Sequence, residues 1–186
     1  MNRFGNLTVT EANVHECAAL DTITGHLTVK AGVNFKALEL TLVRGWLTIE
    51  EGARVEANKL GGVGGFLTVQ PGGRLYADHL ERVSHLFNVT VPNADAKGDV
   101  WLPELTFVDT LVIGRDTTLE LPALERVRTL TVGARSTFLA PRLLEIGRAL
   151  NVGPTAVLAA PLLATVGGFV DIDESAVVKT GLVVQQ

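Results

Sequence analysis

Gly5-Asn6-Leu7-Thr8-Val9, Gly25-His26-Leu27-Thr28-Val29, Gly45-Trp46-Leu47-Thr48-Ile49 and Gly65-Phe66-Leu67-Thr68-Val69 stand twenty residues apart. A fixed period of this length is the mark of stacked, near-identical units, so it decides the architecture before anything else is read. The register continues through Phe87-Asn88-Val89, Leu111-Val112-Ile113, Leu130-Thr131-Val132, Leu150-Asn151-Val152 and Val170-Asp171-Ile172, with intervals of 20, 20, 20, 20, 24, 19, 20 and 20. That makes nine coils, one about four residues long and the next one short.

Within each coil, numbered from the Leu of Leu-Thr-Val, positions 1 and 3 are apolar and position 2 is Thr, Asn or Asp in all coils but one. That is the alternation of a strand with one buried face. Position 9 (Phe35, Val55, Leu75, Leu119, Phe138, Leu158, Val178) and position 11 (Cys17, Ala37, Ala57, Ala77, Leu121, Ala140, Ala160) give a second strand. Position 14, always Leu from Leu20 to Leu163, and position 17, always Val or Ile, lie three apart and imply a bend. Gly52, Pro71, Gly72, Pro122, Pro141, Pro154 and Pro161 interrupt any helical periodicity. The expected fold is all-β: a single parallel β-helix over 1–186, right-handed by the crossover rule, with about nine coils of about 20 residues and three short strands per coil. The segment 90–99 is the one irregular loop and a plausible recognition element.

In the second half the unit reads Leu121-Pro122-Ala123-Leu124-Glu125-Arg126-Val127, then Ala140-Pro141-Arg142-Leu143-Leu144-Glu145-Ile146, then Ala160-Pro161-Leu162-Leu163-Ala164-Thr165-Val166-Gly167-Gly168. This resembles bacterial and phage-encoded β-solenoid repeat proteins with units A/L-P-x-L-x-x-V-G-G-x-L-x-V and, more distantly, receptor L-domain repeats. The resemblance covers almost the whole chain and implies architecture. It carries no functional residue, and the first three coils have Ala18, Leu38 and Asn58 where the proline stands.

Composition narrows the function classes. A net charge of −4 with scattered Lys and Arg offers no electrostatic footprint for nucleic acid or an anionic membrane. Residues 1–6 enter the first repeat without an apolar leader, and no run of eighteen apolar residues occurs, which places the expected location in the cytoplasm. The single cysteine, Cys17, occupies a column filled by Ala37, Ala57 and Ala77 and reads as a small core residue.

Chemistry-bearing clusters are thin. His15, His26, His79 and His85 fall at different places on the coil, and Asp171, Asp173 and Glu174 read as solvated, so neither metal, cofactor nor catalytic residue is expected. The Thr8, Thr28, Thr48, Thr68 column is flanked by Thr10, Lys30, Glu50 and Gln70, too irregular for an ice-binding array. Two features depart from a plain solenoid: the outward position 20 holds Trp46, Phe66, Leu86 and later Phe169, and coils seven and eight place Leu139, Leu144 and Leu162 where earlier coils are polar. Large exposed apolar patches mark contact surfaces. The chain also offers the apolar residues Leu182 and Val184 near a rod end that invites edge pairing. The expected function is a non-enzymatic repeat scaffold that binds a protein partner, or itself as a homodimer through a solenoid end. Small-ligand or carbohydrate binding is the alternative, and a polysaccharide-active β-helix enzyme stands behind it.

Overall fold

The computed structural model describes residues 2–3, 5–90 and 99–181. Three of the expected sites, Leu182, Val184 and most of the 90–99 loop, lie outside the described residues. Nine first strands, from Leu7–Val9 to Phe169–Ile172, stack in parallel through about eight turns of a β-solenoid. Like sits on like, as Leu27 pairs with Leu47 and Leu47 with Leu67, with Thr28, Thr48 and Thr68 alongside.

The second strand of each turn forms one sheet in the first half (Asn34–Lys36, Arg54–Glu56, Arg74–Tyr76, Val100–Trp101) and another in the second (Thr118–Glu120, Thr137–Leu139, Val157–Ala160, Val177–Thr180). The remaining strands join into one fourteen-stranded sheet that wraps a corner of the coil. All the inward columns meet in one core: Leu20, Leu40, Leu60, Leu80, Leu105, Leu124, Leu143 and Leu163 form an unbroken buried leucine stack. Apolar burial along this ladder is the main favourable term in folding.

The corner between positions 17 and 1 is built in two ways. In the early coils short strands such as Leu42–Val43 and Leu47–Ile49 flank a glycine bend. A Cβ on Gly45 would sit 2.5 Å from the carbonyl oxygen of Gly25, so the periodic glycine is required by close backbone approach between coils. Later the corner is one continuous strand, in Arg82–Val89, Phe107–Ile113, Arg126–Val132 and Glu145–Val152. The three strand positions expected per coil are present, and in those four coils two of them run on as a single strand, while the last corner separates again into Thr165–Val166 and Phe169–Ile172.

The uneven intervals follow from the same corner. The pairing Leu75 with Val100 places the extra residues of the long coil in the 90–99 segment. One residue drops out of the corner at the register shift between Val83 and Leu86, and one returns at the shift after Val127. A second difference lies in the first coil, where the expected second strand is replaced by a short helix, Val14–Cys17.

The turn at position 6 has a left-handed backbone in six of the coils. Gly32, Gly52 and Gly72 supply it in the early coils, whereas Asp116, Arg135 and Thr155 adopt φ of 57°, 57° and 54° in the later ones. A strain that glycine avoids is thus carried by three L-residues in succession.

Candidate interaction surface

Position 20 points outward beside the first strand, and parallel stacking brings its side chains into a row along the rod. His26 stacks on Trp46 with centroids 4.4 Å apart, Trp46 on Phe66 at 5.0 Å, and the ring of His85 meets Phe66 edge-on at 6.2 Å. Rings nearly parallel at 4.4–5.0 Å can only lie face against face, since coplanar rings at that separation would overlap. Both faces of Trp46 are therefore covered, and what it shows to solvent, with 46% of the residue exposed, is its rim.

The row is locked to the backbone. Asn6 Oδ1 accepts the His26 amide proton at 2.9 Å, and His26 Nδ1 accepts that of Trp46 at the same distance. That bond places the proton of a neutral His26 on Nε2. His26 and His85 are the two ends of one ring row, with Trp46 and Phe66 between them.

The later part of the predicted stripe is placed differently. Leu86 is half-buried, and the contact with Phe66 is made by His85. Thr110, Thr129 and Ala149 then occupy the column, so Phe169, 64% exposed, stands in line with the row but apart from it. Leu144 and Leu162 are exposed in turns of adjacent coils, while Leu139 is half-buried on the second strand. Trp101, half-exposed in the second strand of the long coil, is a surface aromatic that the periodic reading passed over, because the inserted residues hid its register with Tyr76.

In comparisons with known proteins, no family model, curated relative or solved structure matches the chain. The repeat unit and the fold it produces carry the structural reading alone.

Other concave features are shallow. An open groove of about 440 Å³ runs along the later corner, lined by Phe107, Arg126, Arg128, Glu145 and Arg148. Its single lining carboxylate among the described residues is Glu145, and Arg128 is paired with Asp109 at 3.1 Å. Asp173, one of the clustered carboxylates of the last coil, is held below the usual carboxylate range by the Ser175 hydroxyl and amide that donate to it. Among the described residues no three His, Cys, Asp or Glu side chains gather in a way that would hold an ion.

The two ends of the rod differ. At the N-terminal end Asn13 Nδ2 donates to the Thr8 carbonyl and Asn13 Oδ1 accepts the Thr10 amide proton, which occupies the free edge of the first strand. The adjoining helix Val14–Cys17 buries Cys17, and the inward Leu7 and Val9 are 3% and 0% exposed. At the other end the equivalent Val170 and Ile172 are 47% and 39% exposed, although their positions belong to the core columns. No strand pairs with the far edge of Phe169–Ile172 or Val177–Thr180 among the described residues.

Proposed function

We propose that this protein is an interaction scaffold whose working surfaces are its exterior, with the ring row at Trp46 and Phe66 and the apolar C-terminal coils as contact sites for protein. The observation that carries the reading is the edge-on presentation of the row. A sugar-binding platform offers the open face of an aromatic ring, and here Trp46 spends both faces on His26 and Phe66. A ridge of ring rims with backbone-locked neighbours instead suits insertion between side chains of a protein partner, where buried aromatic anchors dominate binding energy. Preorganisation adds to this, because the row loses little freedom on docking.

The test compares the wild-type protein with the double variant W46A/F66A. Circular dichroism first establishes that both are folded. Proteins cross-linked to a photoreactive group at Arg44, beside the row, should be recovered with the wild type and lost with the variant, while a glycan array stays blank for both. Glycan binding that vanishes in the variant would instead establish the carbohydrate-module alternative.

A further inference from the structure

We infer that the open C-terminal end is covered by a second copy of this chain, docked tail to tail about a twofold axis that passes through the corner at Ser175. The inference rests on the reading of the C-terminal coils as a contact surface and is independent of the ring row.

The backbone sets the direction of the edge. In the earlier coils the first-strand amides point towards the next coil: Leu7 N–H donates to the His26 carbonyl, Leu27 N–H to that of Trp46 and Leu47 N–H to that of Phe66. On the second strand Leu75 N–H donates to the Asp99 carbonyl and Ala57 N–H to that of Tyr76, again towards the next coil. By repeat equivalence, the same groups of Val170, Ile172, Val178 and Thr180 face the open edge. They are a row of hydrogen-bonding groups bordering an apolar floor of Val170, Ile172 and Val178, which a protein covers in some way.

A twofold axis perpendicular to the rod makes the strands of two facing ends antiparallel. An axis at the corner between Phe169–Ile172 and Val177–Thr180 lays each of these strands on the other strand of the second copy. Centred on Ser175, the register sets Ile172 opposite Val178 and Val170 opposite Thr180. All four have backbone groups aimed at the edge, so these form the hydrogen-bonded pairs of an antiparallel ladder. Between them the register sets Asp171 opposite Lys179, in the pair type whose side chains approach most closely. Neither Asp171 nor Lys179 takes part in an ion pair among the described residues. The symmetry makes the Asp171–Lys179 pair twice. Pairing Phe169–Ile172 with itself is less favourable: a register centred on Asp171 sets two carboxylates face to face. One centred on Val170 leaves Asp171 without a cation.

Sedimentation equilibrium on the full chain tests this. The wild type should sediment as a dimer of the 19.8 kDa chain. Asp171→Lys and Lys179→Asp should each weaken dimerisation about tenfold or more, since each sets two like-charge pairs in the ladder. The variant carrying both substitutions should return to within about threefold of the wild type. A monomeric wild type at tens of micromolar, as expected if residues 182–186 cover the end themselves, would overturn the inference. So would a dimer whose strength neither single variant changes. Loss of the dimer leaves Trp46- and Phe66-dependent capture unaffected, so the two readings fail separately.

Discussion

Alanine at Gly45 adds one methyl group at a point of close backbone approach in the early corner. The new Cβ would lie 2.5 Å from the Gly25 carbonyl oxygen and 2.7 Å from its carbon, and would press on His26 Nδ1. Ordinary contact begins near 3.4 Å, so adjacent coils must part by about 0.9 Å at a place where both sides are backbone. Two hydrogen bonds cross that gap: Gly45 N–H to the Gly25 carbonyl at 3.0 Å and Trp46 N–H to His26 Nδ1 at 2.9 Å. Losing both costs about 2 kcal/mol, and disturbing the His26–Trp46 stack about 0.5–1 kcal/mol more. Alanine recovers about 0.5 kcal/mol by restricting the unfolded chain. The net loss is about 2–2.5 kcal/mol, read as a fall of about 4–10 °C in the thermal midpoint. The control is Gly147→Ala, at the later corner, where the nearest atom to a Cβ is Arg128 Cα at 3.8 Å and the backbone is not left-handed. It should leave the midpoint unchanged or raise it slightly. Calorimetric melts of both variants decide the matter. Equal midpoints would refute the claim that the periodic glycine exists for inter-coil approach.

Leu60→Asp, in the middle of the leucine stack, should abolish cooperative melting, because an uncompensated buried carboxylate costs about 5 kcal/mol or more. Thr48→Asp, on the outward ladder one strand away, should shift the melt by no more than about 1 kcal/mol equivalent. Ser136→Ala should cost about 1–3 kcal/mol in urea unfolding, since the buried hydroxyl accepts the Thr117 amide proton and donates to the Gly114 carbonyl. Hydrogen bonding to Glu104 raises the His79 pKa above its ordinary 6.5. A raised folded-state pKa stabilises fully below 6.5 and is lost as pH rises through the folded value, so the urea midpoint should fall between pH 6 and pH 8. That fall should be smaller in His79→Gln; an unchanged profile would count against the pair.

The period alone carried the solenoid, because columns of like residues constrain a coil more tightly than local propensity does. Leu20 to Leu163 and Leu7 to Leu150 were readable as core without coordinates, and so was the outward place of Trp46 and Phe66. The orientation of those rings was not. Whether Trp46 shows a face or a rim depends on a bond from its own amide to His26 Nδ1, a contact twenty residues away that no pattern announces. The first-coil helix was hidden because Cys17 fits the strand column as well as it fits a helix. The closing role of Asn13 was invisible for the same reason: the residue matters through two bonds to one strand edge, and it occurs in a single coil. The strained turns at Asp116, Arg135 and Thr155 were hidden because the left-handed position carries its glycine signal only in the early coils.

The exterior and the open end are held to be the parts of the rod that act, and the end makes the sharper commitment because it specifies atoms. Ser175 sits at the corner through which the proposed axis passes, bonded to Asp173 and Thr155 of its own chain. A spin label attached at Ser175→Cys, with the buried Cys17 replaced by alanine, reports the separation of the two copies by pulsed dipolar spectroscopy. A single short distance, lost in Lys179→Asp and regained when Asp171→Lys is added, is the predicted result. An absent dipolar signal, or a broad distribution indifferent to those charges, would contradict the account.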